Sequence, residues 1–495
     1  MGKIAGRQLA LYSAAFFVSI ALGLAAAFGS YLVIFALIAL LLGAGLISNI
    51  KWLAYTVLGA SLVICGSLEI FLGFGQANWA ASLLAAALFI SMLFTRPHIC
   101  KITSINSPYR TLLYLSLYVY LMTLVFSALV NFNSAGQLLV GLRAFLPFIA
   151  VFCVVALGYL SSSTVEQCFK AILWIGCVQW LFCVAEQLIV VPKRLASRAF
   201  VGGEAEVIVG SFGGNPLGGG YTGEMACFTV MVLMMVYLLV EQRLLKKLWL
   251  WAALISALVA IGLAETKIVI VLLPLMLLVI VWKIPGGISK SMLKMIGLIG
   301  IALSVICLVY SIRYWTSDGE LLHAFTYSFD PNFKIDAEHR GRMGNIQYWG
   351  EQAFATMPLL NSFIGFGPGA VTPSSFLAGP GPAVIKYGLG LDSTAICILL
   401  WNFGLIGTIA FISMIIAAFI EAFRLSRSQT VSPWVRWLMV GMKSWLLVFL
   451  AMLPYQPSVV AGVSMQYLFW FSIGLIAFYG ANGQGENTKD VGIIK

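Results

Sequence analysis

About 14 apolar runs, each roughly 20 residues long and parted by short loops, follow one another along this chain, and a run of that length is what an α-helix needs to cross a bilayer. They fall at 8–27, 30–49, 52–72, 77–95, 111–131, 139–160, 171–191, 217–240, 247–264, 267–283, 292–312, 393–423, 435–454 and 462–480. Hydrocarbon offers no partner to a backbone N–H or C=O, so each run is constrained to close its own hydrogen bonds as a helix. Charge is correspondingly scarce: 9% of residues are charged, against about 25% in soluble domains. The sequence therefore predicts an all-α polytopic membrane protein with the lipid bilayer as its first partner. The run 8–27 is followed at once by another with no cleavage site between them, so no cleaved signal peptide is expected.

Loop charge predicts orientation. Lys3 and Arg7, Lys51, then Arg96, Lys101 and Arg110, then Lys170 occupy alternate loops, followed by Arg243, Lys246 and Lys247, by Lys283, Lys290 and Lys294, and by Arg424, Arg427 and Arg436. The positive-inside bias makes these loops and both termini cytoplasmic. Trp52, Trp249, Trp251, Trp282 and Trp434 sit at the same interface, as an aromatic belt does. The net charge of +11 belongs to these short loops and does not point to nucleic acid. The predicted organisation is an N-terminal bundle over 1–191, an outer loop over 192–215, helices over 216–312, a large outer loop over 313–391, further helices over 392–480 and a tail over 481–495. None of the nine cysteines falls in either outer loop, and no zinc-ligand spacing occurs, so neither disulfide nor metal is expected.

The large outer loop holds the one long polar stretch. Met343, Ile346, Trp349, Ala353 and Met357 recur three or four apart and predict an amphipathic helix on the membrane surface, with Arg340 and Arg342 at its start. Pro358 predicts its end. The run Gly365-Phe366-Gly367-Pro368-Gly369 beyond it predicts a tight turn.

Basic residues on the outer side run against the charge bias. They are Lys193, Arg194 and Arg198 in the first loop, and Lys334, Arg340, Arg342 and Lys386 in the second, with Arg143 and Lys267 near outer span ends. Taken singly, each can reach lipid headgroups or pair with Glu204, Glu206, Asp336 or Glu338. Converging on one face, arginines are how proteins hold phosphate. Glu69, Glu186, Glu224 and Lys443 lie in or at the edges of spans, where an ionisable residue is either functional or paired with another. Of three histidines, His339 beside Arg340 is the one placed for chemistry.

In order and spacing, the arginine-bearing helix, the Pro358-Leu359 step and the Gly-Phe-Gly-Pro-Gly run resemble the O-antigen polymerase and O-antigen ligase superfamily of bacterial envelope proteins. Gly210-Ser211-Phe212-Gly213-Gly214-Asn215-Pro216, Glu265-Thr266-Lys267 and Trp401-Asn402-Phe403-Gly404-Leu405-Ile406-Gly407 agree with further segments of that pattern. The resemblance implies a GT-C-like, metal-independent inverting glycosyltransferase acting on undecaprenyl-pyrophosphate-linked oligosaccharide at the periplasmic face of the inner membrane, with no cofactor. Its working partners would be a flippase and a chain-length regulator. It also implies site residues: Arg340, Arg342, Asp392 and His339 for catalysis, and Arg198, Arg143, Lys267 and Asn215 for the pyrophosphate. Departures exist. Val207 stands where the family has an arginine, a role open to Arg194 or Arg198; Lys267 replaces a frequent arginine; and Leu391-Asp392-Ser393-Thr394 lacks the ligase histidine. The last favours a polymerase. A ligase passing glycan to lipid A core or protein is the alternative. A non-enzymatic lipid-linked oligosaccharide flippase is the rival outside the class, although its basic residues would line a spanning cavity rather than gather at one face.

Overall fold

A computed structural model describes residues 43, 45–97, 107–197, 207–215, 220–266, 268–281, 293, 297, 300, 330–332, 340–375, 377–388 and 390–482. The protein is an all-α polytopic membrane protein, and among the described residues the only β-pairing is one bridge between Gly214 and Gly220. The helices in chain order are α1 (Ile50–Leu72), α2 (Ala77–Phe94), α3 (Pro108–Val130), α4 (Ala135–Phe145), α5 (Ile149–Ala156), α6 (Ser162–Ala196), α7 (Thr222–Glu241), α8 (Lys247–Ala264) and α9 (Ile268–Val281). After them come α10 (Arg342–Ala355), α11 (Leu359–Ile364), α12 (Pro382–Tyr387), α13 (Ala395–Arg427), α14 (Pro433–Met452), α15 (Ser458–Ala461) and α16 (Val463–Asn482). Among the described residues nine of these are long and apolar enough to cross a membrane; α4 and α5, bent by 43° to each other, are so only as a pair, and α9 is shorter. Each falls on one of the expected runs. The run 8–27 and most of 30–49 and 292–312 lie outside the described residues.

Caps set several helix starts. Ser134, Ser161, Thr394 and Ser432 each accept a hydrogen bond from the backbone N–H three residues on, supplying the acceptor a first turn lacks. The bundle is layered by burial. Within their most apolar windows α7 and α16 are 83% and 94% buried, whereas α8 is only 28% buried. Small residues let the buried helices close up: Gly176 of α6 meets Val232 of α7, and Gly474 of α16 meets Phe152 of α5.

A break inside a spanning helix lies in α13, where Gly404 has φ +61° and ψ −162°. A break in a spanning helix orphans carbonyls, and these must find partners inside the protein. The glycine turn supplies them. Phe366 N–H donates to the Trp401 carbonyl at 2.8 Å, and Gly367 N–H donates to that of Asn402 at 3.0 Å. The Asn402 carbonyl also accepts from Ser127 Oγ at 3.0 Å, while its side-chain oxygen accepts from Ala370 N–H at 2.9 Å. Gly365, at φ +76°, lies so close that a Cβ there would run into the Asn402 backbone. Two of the stretches quoted for the family resemblance are thus docked on each other in space.

Candidate functional site

Only the second of the two arginines expected at the start of the amphipathic helix belongs to it. Gly341 is extended (φ −63°, ψ 169°), so α10 opens at Arg342 and Arg340 precedes it. The buried face of α10 carries Gly344, Asn345, Trp349 and Ala353, and it packs on α13 rather than lying free. Asn345 fixes its position by donating to the Gly390 carbonyl and to Ser393 Oγ, each at 2.8 Å. Asp392 therefore lies on the turn that anchors α10, half-buried between Leu391 and Ser393. The start of α13 is held in turn by the loop after α14: Ala395 N–H donates to the Gln456 carbonyl and Ile396 N–H to that of Leu453, both at 3.0 Å.

These tethers carry Arg342 onto the ring of Tyr455, 4.1 Å from its centroid. Below it lies Glu224, in the first turn of α7, buried and acted on by the Arg342 charge. The amide of Gln456, oriented with its nitrogen towards Glu224, donates to the two carboxylate oxygens at 3.2 and 3.3 Å. Gly223 lets this amide lie against α7. Arg340 goes elsewhere. Its guanidinium sits 3.6 Å from the ring centroid of Tyr348, whose hydroxyl donates to the Tyr387 carbonyl at 3.3 Å. Tyr348, Tyr387, Trp401 and Phe366 form one aromatic group there.

A second cation lies at the same end of the bundle. Arg143, near the end of α4, is 4.5 Å from the ring centroid of Trp79 on α2. Glu69 of α1 is close enough for the two charges to act on each other, and it accepts from Asn78 Nδ2 at 2.9 Å. The Gly213–Gly214 backbone closes over this carboxylate; a Cβ on Gly213 would lie 2.7 Å from Glu69 Oε2. The loop is anchored by α6: Glu186 Oε2 accepts from Val209 and Gly210 N–H at 3.0 and 2.9 Å, and Gln179 donates to Ser211 Oγ at 2.8 Å. Glu186 is thereby a backbone-holding residue. Asn215 is exposed at the edge of this loop, and Arg194 is buried near the end of α6.

Tyr221 lies within electrostatic reach of Glu69, Glu224 and Arg143. Its N–H donates to the Gly213 carbonyl at 3.3 Å, and it directly precedes α7. All of these groups cluster where α1, α4 and α14 end and where α2, α7 and α13 begin. The basic residues Lys51, Lys170, Arg243, Lys247, Arg424 and Arg436 lie towards the other ends of their helices.

Of the residues expected from sequence, Arg342, Arg143, Asp392 and Asn215 come to this end of the bundle, with Arg340 beside them but turned into the aromatic group. His339, Arg198 and Lys267 lie outside the described residues. Sequence reasoning did not select Trp79, Asn78, Tyr221, Tyr455 or Gln456. A signal existed for the last two, since Pro454-Tyr455-Gln456-Pro457 is a polar, proline-bounded island between two spans. Among the described residues no group of three or more His, Cys, Asp or Glu side chains is placed to hold a metal ion. No protein-family model matches the chain, and no curated protein matches it.

Proposed function

We propose that the chain is a polysaccharide polymerase that joins undecaprenyl-pyrophosphate-linked repeat units at the periplasmic face of the bacterial inner membrane. The observation that carries this reading is the pair of arginines on aromatic rings, Arg143 and Arg342, at the end of the bundle opposite the basic loops. Positive charge on the side disfavoured by the topological bias needs a reason. An anionic substrate delivered at that membrane face supplies one. In the proposed reaction the acceptor hydroxyl attacks the anomeric carbon of the donor sugar, a new C–O bond forms with inversion, and the bond to pyrophosphate breaks. The leaving pyrophosphate takes the electron pair, and fixed guanidinium groups beside a low-dielectric wall stabilise that charge as it develops. Arginine suits this role because its planar fork grips two phosphate oxygens together and keeps its proton. The acceptor's proton passes to a nearby base; Asp392 and His339 are the proposed candidates.

In this reading both termini are cytoplasmic, the chain crosses the membrane about 14 times, and the 313–391 loop faces the periplasm. The proton and charge requirements are met by side chains, so the transfer needs neither metal nor cofactor. The absence of a histidine from Leu391–Thr394 favours polymerase over ligase. Gene deletion tests the choice. Cells without the protein are expected to carry and transfer single repeat units only; if they build long lipid-linked chains that reach no acceptor, the protein is a ligase.

A further inference from the structure

At the end of the bundle that carries the basic loops, two cations share one ring. Lys443 of α14 places its ammonium 5.2 Å from the ring centroid of Phe423 on α13, and the Arg427 guanidinium lies 5.7 Å from the same centroid. Lys443 is fully buried, and its Nζ has no hydrogen-bond partner among the described residues. Its backbone lies about 15 Å along α14 from Pro433. Helical side chains lean towards their own N-terminus, and here that lean carries the ammonium back to Phe423, one turn before α13 ends at Arg427.

No negative charge answers these two. Glu421, two residues before Phe423, is already spent: it accepts from Arg424 Nε at 2.9 Å and from Ser107 Oγ at 2.6 Å, and Gly480 of α16 closes against it. Among the described residues neither Lys443 nor Arg427 makes an ion pair. Arg436 Nε donates to the Ser428 carbonyl at 3.2 Å, which fixes the turn after Arg427 without supplying an anion. A ring face attracts a cation, but it does not cancel two charges that repel each other, one of them within a span. A bound anion does.

The surroundings indicate which anion. Ile409, Ile416 and Phe423 follow at seven-residue steps and share one face of α13. Ile409 and Ile416 are 59% and 45% exposed, Phe423 is half-buried, and Arg427 is exposed at the foot of the stripe. An apolar stripe ending in cations fits an acyl chain laid along the helix with its phosphate at the foot, and basic pockets between spanning helices are where anionic headgroups bind. Inorganic phosphate has no use for the stripe.

We propose that Arg427, Phe423 and Lys443 form a seat for the phosphodiester headgroup of an anionic phospholipid, with an acyl chain along Ile416 and Ile409. Arg427 grips the phosphate oxygens with its planar fork. Lys443, one ring away, adds a fixed charge that the headgroup neutralises. The seat lies at the opposite end of the bundle from Arg143 and Arg342 and does not depend on the polymerase reading; in the topology proposed above it belongs to the cytoplasmic leaflet.

Lipid binding tests it. Full-length protein in dodecyl maltoside is titrated separately with phosphatidylglycerol, phosphatidylcholine and inorganic phosphate, and bound molecules are counted by native mass spectrometry. Wild type is expected to retain one tightly held phosphatidylglycerol, as is Arg96→Gln, which removes another exposed cation. That lipid should be held about fivefold more weakly in Arg427→Gln and in Lys443→Met, and about thirtyfold more weakly in the double variant. Methionine fills the lysine's space without its charge, so the fold is expected to survive. If it does not, Arg427→Gln and Ile416→Trp, both at exposed positions, carry the test, because the tryptophan obstructs the stripe and should weaken the same lipid with every charge in place. Equal retention of phosphatidylcholine would overturn the proposal, as would an unchanged affinity in either charge variant. Displacement of the lipid by inorganic phosphate at the same concentration would also overturn it, since the site would then hold a free anion.

Discussion

Replacing Arg342 by lysine isolates what the guanidinium does from what its charge does. The positive charge near Glu224 is retained, so the buried carboxylate keeps a countercharge and the fold is expected to survive. Two things are lost. The planar group 4.1 Å from the Tyr455 centroid becomes a point charge with a weaker hold on the ring, worth about 0.5–1 kcal/mol at a partly exposed site. The fork that grips two phosphate oxygens together also goes, and removing one preorganised donor from a developing anion typically costs about 3–4 kcal/mol. The second loss dominates, so turnover should fall about a hundred- to a thousandfold. Arg340→Lys is the matched comparison. Its guanidinium lies on Tyr348 within the aromatic group, away from Glu224, and its loss should cost mainly ring stacking, about 1 kcal/mol, or fivefold or so in rate. The assay is elongation of lipid-linked repeat units by equal amounts of folded wild type and each variant, with folding checked by size-exclusion profile. A near-normal rate for Arg342→Lys would refute the assignment of this side chain to the leaving pyrophosphate. Equal large losses in both variants would refute the division of roles between the two arginines.

Asp392→Asn should lower turnover about a hundredfold or more while leaving pyrophosphate binding intact; an unchanged rate passes the base role to His339. Gly365→Ala should lower the thermal midpoint in detergent by several degrees, because φ +76° with ψ −171° is a glycine region and the added Cβ would meet the Asn402 backbone. The two penalties are each about 1–3 kcal/mol, and a melting curve superimposable on wild type would show that the turn and the α13 break are not rigidly docked. Ser374→Cys, in an exposed stretch between α11 and α12, should react with an impermeant thiol reagent in intact spheroplasts; labelling only after membrane rupture would reverse the topology.

What could be read from the sequence is what depends on neighbours along the chain. Apolar run length located the described spans; of the periodic set Met343, Ile346, Trp349, Ala353 and Met357, the last three are buried while Met343 and Ile346 are half-buried, and Pro358 stands between α10 and α11. The local pattern could not reveal that Gly341 would delay the helix to Arg342 and turn Arg340 towards Tyr348, since both arginines look alike in a polar stretch. Nor could it pair Arg143 with Trp79, or Arg342 with Tyr455. Those contacts join residues far apart in the chain and depend on how helices pack, for which an apolar pattern in lipid carries little register information. Glu69 and Glu224 stood out as charges in spans, yet only packing distinguishes them from Glu186, which spends its carboxylate on the backbone of Val209 and Gly210. The break at Gly404 was equally silent, because a glycine in an apolar helix reads as a packing residue until its φ is known.

The central claim is tested most directly by reconstitution. Purified protein in liposomes is given a single kind of undecaprenyl-pyrophosphate-linked repeat unit, in excess chelator and with no other acceptor, and the lipid-linked products are resolved by size. The account predicts a ladder of glycans, each rung one repeat longer and all still attached to the carrier. Single repeats alone, or growth only after a lipid A core acceptor or magnesium is added, would contradict it.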